Sequence, residues 1–213
     1  MRTRIITVKL WEWFPSNDDL ATKMARLCVF REELMFQFRC AREANDVPIE
    51  DDYGPAWRQI YYFRKMFGTL QEIRRAIESL AKDVNFESFL DTQSPELQKK
   101  FTQLKAKLQS DTKAIKTIRT EYGVHIEEQF VEEALLKMSH ERWGFLHISQ
   151  SPAKTHYKFV GELIMAIMLR NTPDEKHVQK AQEIVDLLAS NIENLFPIID
   201  EIFFNYAKDR KLL

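Results

Sequence analysis

The chain has 213 residues, a length that fits one domain whose hydrophobic core needs no disulfide or metal for stability. Hydrophobic residues make up 45% and charged residues 30% of the sequence, and this balance excludes a disordered chain and a membrane-embedded one. Five glycines are too few for a turn-dense β protein, and a net charge of -1 means that binding to a polyanion requires a local basic patch. We therefore expect an all-α protein with a single domain over residues 1–213, built as an antiparallel helical bundle.

The N-terminal segment alternates apolar and polar residues through RIITVKL, so we predict an extended arm or a strand over residues 1–16 and the bundle over residues 17–209. The aromatic cluster WEWF, Trp11 to Phe14, fits either a partner-binding arm or a hydrophobic plug on one end of the bundle. The sequence shows no signal-peptide pattern, and its longest later apolar run, Leu163 to Leu169, is far too short for a membrane span. We expect a cytoplasmic protein with no membrane partner.

The first helix is predicted from the cap sequence SNDD, which places Asp18 at the helix start. Apolar residues then recur every three or four positions, a spacing that indicates a helix with one buried face. These residues are Leu20, Met24, Leu27, Leu34, Phe38 and Ala41. Arg31 occupies a position on the same face. Cys28 and Cys40 lie on different turns of this helix, so we expect two reduced cysteines and no disulfide.

The second and third helices show the same spacing. Pro55 suits the first turn of the second helix, whose apolar face comprises Ile60, Phe63, Phe67, Leu70, Ile73, Ile77 and Leu80. Ser94 and Pro95 begin the third helix, whose apolar face comprises Leu97, Phe101, Leu104, Leu108, Ile115 and Ile118. Asp111 occupies a position on that face. Because a buried charge needs a partner, we predict that Arg31 and Asp111 face the interior and pair with each other.

The remaining sequence predicts three more helices and a hairpin. EEQFVEEALLKM begins a fourth helix, and the short runs RWGFLHIS and THYKF predict a small β-hairpin insertion near residues 142–160. Gly161 to Arg170 has the composition of a buried helix, and a long C-terminal helix follows Thr172 and Pro173. Pro197 should kink or split this last helix. Its heptad-spaced apolar positions are Val178, Ala181, Val185, Leu188, Ile192, Leu195, Ile199, Ile202 and Tyr206.

The histidines form no pattern that indicates a metal site. Helical bundles that bind metal use Glu-x-x-His pairs on facing helices, and the sequence contains no such pair. His140 lacks the second histidine of a zinc protease motif, and His147 and His156 would only be neighbours across the predicted hairpin. We therefore predict no metal and no cofactor.

Basic residues follow one side of the third helix. Lys105, Lys113, Lys116 and Arg119 fall within an arc of about 120° if the helix continues at about 100° per residue. The segment Glu96 to Arg119 carries seven basic residues against two acidic ones, so it has the charge to hold a polyanion. The alternative is a solvated helix face without a partner.

The stretch IRTEYGVH comes next and places Arg119 and His125 on either side of a turn that contains Gly123. An arginine followed after a short spacer by a histidine, between two helices of a bundle, resembles the motif of the HEPN superfamily. The resemblance covers about residues 56–138. It implies a metal-independent ribonuclease or a nucleotide-binding relative that has lost activity. In such chemistry a guanidinium holds phosphate oxygens in a bidentate fork, and an imidazole moves a proton near neutral pH.

The resemblance also implies the roles of individual residues. Arg119 and His125 would be catalytic, the ligand would be RNA or a nucleotide, and a homodimer would pair two motifs across a groove, with an antitoxin as one kind of partner protein. Lys105, Lys113 and Lys116 are the candidates for binding the substrate. A further candidate, Tyr122, either stacks on a base or packs over the turn. The alternative function is a non-enzymatic helical interaction protein whose last helix forms a dimer interface.

Overall fold

The computed structural model describes residues 8–43, 54–118, 128–137, 146–147, 156–157 and 159–212. These residues are almost entirely helical, so the predicted all-α class is confirmed. The helices are α1 (Leu10–Trp13), α2 (Asp19–Glu43), α3 (Gly54–Leu80), α4 (Val84–Asp91), α5 (Pro95–Ser110), α6 (Thr112–Ile118), α7 (Glu128–Lys137), α8 (Phe159–Leu169) and α9 (His177–Asp209), with a 3-10 turn at Asp174–Lys176 before α9.

The β structure in the described residues is one short antiparallel pair. Strand β1 (Leu146–His147) pairs with strand β2 (His156–Tyr157), and His147 lies opposite His156. Each described strand has two residues, and the full hairpin insertion that the sequence predicts near residues 142–160 is not seen in the described residues. The other residues of that predicted hairpin lie outside the described part of the chain, apart from the first residues of α8.

The chain groups into two compact units, where the sequence analysis predicts one domain. The first unit comprises Met1–Glu32, Glu72–Ser110 and Asn191–Leu213, and the second comprises Glu33–Gln71 and Asp111–Ser190. Each unit is assembled from segments that are distant in the sequence. No change in composition marks where one unit gives way to the other, so composition and helical periodicity could not indicate this division.

In the first unit, the beginning of α2 runs antiparallel to the end of α9. Asp18, which precedes α2, pairs with Arg210, which follows α9. Farther along α2, Arg31 pairs with Asp200, which lies earlier in α9. These two ion pairs show that the two helix segments run in opposite directions, in agreement with the predicted antiparallel bundle.

Aromatic rings fill the centre of the first unit. The ring of Phe86 on α4 lies 5.1 Å from the ring of Phe101 on α5. Phe89 on α4 meets Tyr206 on α9 edge to face, with ring centroids 6.2 Å apart. All four side chains are buried. Since tilted and edge-to-face ring pairs add to the gain from burial alone, α4 holds α5 and α9 together.

The second unit is built around α3, α6, α7 and α8, with α7 packed against α8. Its buried apolar residues include Met66, Phe67, Leu70, Ile115, Ile118, Ala134, Ile164 and Ile167. A buried polar pair lies beside them, in which Gln37 Nε2 donates to Thr69 Oγ1 at 3.0 Å. Buried polar groups are normally satisfied in this way, and the pair joins α2 to α3 within this unit.

The predicted helix starts are confirmed at three caps or first turns, and one helix was missed. Asp18 Oδ1 accepts from the Ala21 amide at 2.9 Å, and Ser94 Oγ accepts from the Leu97 amide at 3.3 Å. α3 begins at Gly54, which places Pro55 in its first turn. The sequence analysis does not predict α4, although Asp83 is a strong cap signal and accepts from two amides of the first turn of α4.

The predicted apolar faces are mostly confirmed. Every apolar position predicted for the third helix is buried, and on α2 the predicted positions other than Phe38 are buried as well. On α9 the predicted positions from Leu188 to Tyr206 are buried, but Val178 and Val185 are exposed and Ile184 is buried instead. On a straight helix, residues spaced seven apart rotate around the axis by about 20° per heptad. Over a helix of this length, residues at that spacing therefore do not all lie on the same face.

Two local predictions are wrong. The predicted extended arm is helical at Leu10–Trp13, where Trp13 is buried, while residues 1–7 lie outside the described part of the chain. Of the two outcomes predicted for Pro197, a split is wrong, because α9 continues through it from His177 to Asp209, and a kink stays a prediction. A proline removes one backbone hydrogen bond from the preceding turn, and burial of the neighbouring Leu195 and Ile199 offsets that loss.

Candidate functional site

The centre of the predicted site lies outside the described residues. Arg119, Tyr122 and His125 all fall between Ile118, where α6 ends, and Glu128, where α7 begins. Their geometry therefore remains a prediction. The two flanking helices are described, and both belong to the second unit.

The three candidate lysines lie on two helices rather than on one. Lys105 is half-buried on α5, whereas Lys113 and Lys116 are exposed on α6. The predicted third helix is interrupted at Asp111, whose carbonyl accepts from the Ile115 amide at 2.8 Å. This places Asp111 at the cap position of α6, which aspartate favours. The predicted common arc spans α5 and α6, which belong to different units, so the arc stays a prediction.

Among the described residues, no acidic side chain neutralises Lys113 or Lys116. Neither makes an ion pair with any residue in the described ranges. Lys100 on α5 differs, because its Nζ lies 2.8 Å from Glu96 and 3.4 Å from Glu201. Unpaired lysines on an exposed helix keep their full attraction for a polyanion. These two lysines are therefore the strongest basic feature next to the predicted motif.

Arg31 does not pair with Asp111 as predicted. Its Nε and Nη2 donate to the two carboxylate oxygens of Asp200 at 2.9 Å and 2.8 Å. The guanidinium also lies 4.9 Å from the ring centroid of Phe196. This bidentate pair, backed by a ring, occupies the arginine within the first unit. Asp200 was missed because nothing in the local sequence links it to a residue 169 positions away.

A buried arginine anchors the helix that follows the predicted motif. The side chain of Arg170, only 3% exposed, donates through Nε to Glu133 Oε2 on α7 at 3.0 Å. Its guanidinium lies 4.0 Å from the ring centroid of Phe130. Lys137 at the end of α7 donates to the backbone carbonyl of Arg170. Hydrogen bonds from Gln129 and Arg170 lower the pKa of Glu133, so this carboxyl stays ionised and holds α7 in place.

The sequence analysis missed Arg170. Its position at the end of the long apolar run from Leu163 to Leu169 was the available signal, because a charge next to a buried helix needs a partner. Glu133 lies on a predicted helix, but no local pattern pairs it with a residue beyond the predicted hairpin.

The opposite side of α7 is open and mixed in character. A shallow groove there is lined by Glu128, Val131, Glu132, Leu135 and Leu136. Leu136 is 80% exposed and Leu135 is more than half exposed. The glutamates repel a polyanion, and the leucines favour a protein contact. This face therefore differs in chemistry from the lysines of α6.

The described residues contain no group of three or more His, Cys, Asp or Glu side chains placed to hold a metal ion. Cys28 and Cys40 are both free thiols. Among the helices that the structure describes, none is both long enough and apolar enough to cross a membrane.

Comparison with known proteins adds no family to these observations. No protein-family model matches the sequence, and no curated protein or solved structure matches it.

Proposed function

We propose that the protein is an HEPN-like helical protein that binds single-stranded RNA and cleaves it without a metal. The observation that carries this proposal is the position of Lys113 and Lys116. Both are exposed, neither is paired with an acid in the described ranges, and they lie on α6, whose last described residue, Ile118, precedes Arg119 in the sequence. A basic helix that leads into an arginine and a histidine supplies phosphate binding next to a proton-transfer group.

The proposed chemistry needs only groups that the chain and the RNA supply. His125 takes the proton of a ribose 2′-hydroxyl, and the resulting oxygen attacks the adjacent phosphorus. A bond from O2′ to phosphorus forms while the bond from phosphorus to O5′ breaks, and a proton passes to the departing O5′. The products are a 2′,3′-cyclic phosphate and a 5′-hydroxyl. Arg119 holds the phosphate oxygens as negative charge develops on them.

The other predicted residues position the substrate. Lys113 and Lys116 attract the RNA backbone, Lys105 extends the basic surface, and Tyr122 stacks on a base beside the cleaved bond. A homodimer would bring two copies of the motif together, and an antitoxin is a candidate regulator of such a nuclease. These assignments all depend on the HEPN resemblance, and they describe a cytoplasmic protein.

The test is cleavage of labelled single-stranded RNA by the full chain in the presence of EDTA. We expect the wild type to cleave and His125→Ala to abolish cleavage. Arg119→Ala should reduce the rate by about a hundredfold or more, because it removes transition-state stabilisation. Equal cleavage by the wild type and both variants would indicate a contaminating nuclease and would refute the proposal.

A measurement of RNA binding distinguishes the role of the lysines from that of Arg119 and His125. Lys113→Glu combined with Lys116→Glu should weaken RNA binding and lower the slope of log K against log salt by about 1.4 for two contacts to single-stranded RNA. The matched control is Lys82→Glu with Lys99→Glu, which makes the same charge change at two other exposed lysines. We expect this control to bind as the wild type does apart from a small general effect of net charge.

The second candidate function is a helical interaction protein, and the exposed Leu135 and Leu136 on α7 favour it. The dimer interface first suggested for this alternative, the apolar face of the last helix, is buried within a single chain from Leu188 onward. If RNA is neither bound nor cleaved, and Leu135→Ser with Leu136→Ser dissociates a dimer in sedimentation experiments, this second function replaces the first.

A further inference from the structure

In the first unit, α1 contacts the end of α9, and each of these helices carries exposed apolar side chains. Trp13 is buried, with its ring 5.5 Å from Phe203, whereas Leu10 and Trp11 on the same short helix are 69% and 70% exposed. The ring of Phe203 lies 6.2 Å from Phe204, which is half exposed. Ring contacts therefore join α1 to α9 and leave apolar side chains in water.

Lysines follow Phe204 at the end of α9. Lys208 lies four residues after Phe204 and therefore on the same face of the helix, and Lys211 comes just after the helix end. Both lysines are exposed, and neither makes an ion pair with a residue in the described ranges. The last six residues of the sequence carry three basic residues against one acidic residue.

Lys9 lies beside α1, but acidic residues also follow this helix. Lys9 Nζ lies 5.7 Å from the ring centroid of Trp11 and 3.1 Å from Glu12. In the first 19 residues, Arg2, Arg4 and Lys9 are balanced in number by Glu12, Asp18 and Asp19. Because Lys9 pairs with Glu12 and Arg210 pairs with Asp18, the positive charge available to a ligand at this end of the first unit comes from Lys208 and Lys211.

We propose that this terminal patch, formed by Leu10, Trp11, Phe204, Lys208 and Lys211, docks the protein on an anionic membrane surface. Tryptophan favours the level of the lipid headgroups, and anionic leaflets attract clustered lysines and arginines. Exposed Leu10 favours lipid over RNA, because proteins bind single-stranded RNA mainly through charge and ring stacking.

The earlier expectation of no membrane partner rested on the lack of a spanning segment. Surface docking needs no such segment, because apolar side chains need to reach only the boundary between headgroups and acyl chains. The patch is also separate in sequence from Arg119 and His125, so this proposal stands or fails independently of RNA cleavage.

The test is co-sedimentation of the full chain with vesicles of phosphatidylserine and phosphatidylcholine, compared with vesicles of phosphatidylcholine alone. We expect severalfold more binding to the anionic vesicles, and a loss of this preference at high salt. Leu10→Ala with Trp11→Ala should lower the partition coefficient about tenfold, since two apolar anchors are lost. Lys208→Glu with Lys211→Glu should lower it by about tenfold or more.

Two control variants separate this patch from other exposed features. Val84→Ala removes an apolar side chain that is 73% exposed on α4, and Lys82→Glu with Lys99→Glu makes the same charge change at two exposed lysines outside the patch. Both controls should bind anionic vesicles like the wild type. Circular dichroism of each variant checks that the helices remain folded.

Three outcomes would overturn the proposal. The first is equal binding to both kinds of vesicle, and the second is unchanged binding after Leu10→Ala with Trp11→Ala. The third is that the same double variant, without lipid, dissociates a dimer or loses RNA binding, because the patch would then be a protein or RNA contact. Failure of RNA cleavage with retained vesicle binding would reject only the nuclease function.

Discussion

Tyr206 is a buried side chain whose ring stabilises the core and whose hydroxyl is costly to bury. Its side chain is 2% exposed, and its hydroxyl finds no hydrogen-bond partner among the described residues. The ring itself is well used, since it meets Phe89 edge to face and lies 4.7 Å from the guanidinium carbon of Arg210. Burial raises the pKa of Tyr206 to about 12, because the phenolate would be poorly solvated there. The ring stabilises the core, and the hydroxyl does not.

We predict that Tyr206→Phe leaves stability unchanged or raises the free energy of unfolding by about 1 kcal/mol, because it removes an unpaired buried hydroxyl and keeps the ring. The control is Tyr62→Phe, whose hydroxyl is hydrogen-bonded to Cys40 and whose loss should cost about 0.5–1 kcal/mol. Urea unfolding measures both. A clear loss of stability in Tyr206→Phe would show that the hydroxyl has a partner.

At the scale of an element, the end of α9 is closed by a specific pattern of backbone hydrogen bonds. The Leu212 amide donates to the Ala207 carbonyl at 2.9 Å, and the Lys211 amide donates to the Lys208 carbonyl at 2.9 Å. Lys211 has φ 58, in the left-handed region. This is the Schellman motif, whose left-handed position is usually glycine. A lysine there carries a steric cost that glycine avoids.

We therefore predict that Lys211→Gly raises the free energy of unfolding by about 1 kcal/mol. Lys208→Gly is the matched control, because position 208 is still helical and glycine there should lower stability by up to about 1 kcal/mol. Thermal unfolding of the two variants should shift in opposite directions. A fall in melting temperature for Lys211→Gly would mean that the helix does not end in this geometry.

Across the whole molecule, several titratable groups have pKa values in the folded protein that differ from their ordinary values. A hydrogen bond from Lys23 lowers the pKa of Asp83, and bonds from the Ala21 amide and Arg210 outweigh burial to lower the pKa of Asp18. At the alkaline end, burial and the nearby Asp200 raise the pKa of Cys28 to about 12. Burial likewise raises the pKa of Tyr206 to about 12. In the folded protein these carboxyls therefore stay ionised at lower pH, and the thiol and the phenol stay protonated at higher pH, than in the unfolded chain.

This arrangement predicts a plateau of stability with two limbs. A lowered carboxyl pKa stabilises the fold above its ordinary value near 3.8, so stability should fall below about pH 4. A raised thiol or phenol pKa stabilises the fold below the ordinary values of 9.0 and 10.0, so stability should fall as pH rises from about 9 toward 12. Urea midpoints across pH measure both limbs.

Single substitutions assign each limb of this profile. Asp83→Asn should flatten the acid limb, and Cys28→Ala should flatten the alkaline limb, because each removes a group whose pKa differs between the folded and unfolded states. If both variants keep the profile of the wild type, other groups control the pH dependence.

The candidate site was predicted from the sequence only in its local parts. Lys113 and Lys116 are exposed on a helix directly before Arg119, as the charge pattern suggested. The single helix predicted through Lys105 and Lys113 is divided at Asp111 into α5 and α6. A charge pattern on one helix cannot show where an aspartate ends that helix rather than continuing it, since aspartate is compatible with both.

The sequence alone was enough to predict helix starts and buried helix faces, because both depend on residues three or four positions apart. Ser94 and Pro95 mark the start of α5, and the spacing of Leu97, Phe101 and Leu104 identifies its buried face. These signals are local because a helix satisfies its own backbone and repeats every 3.6 residues. The helical class of the protein followed from such signals.

The ion pairs between residues far apart in the sequence could be identified only from the tertiary structure. Arg31 binds Asp200 instead of Asp111, and Arg170 binds Glu133. The choice between several acidic partners depends on which helices become neighbours, and that is set by packing the whole core into a small volume. An ion pair adds little to this choice by itself, because its attraction barely exceeds the cost of removing two charges from water. The partners of the buried charges are therefore a result of core packing, which no local pattern encodes.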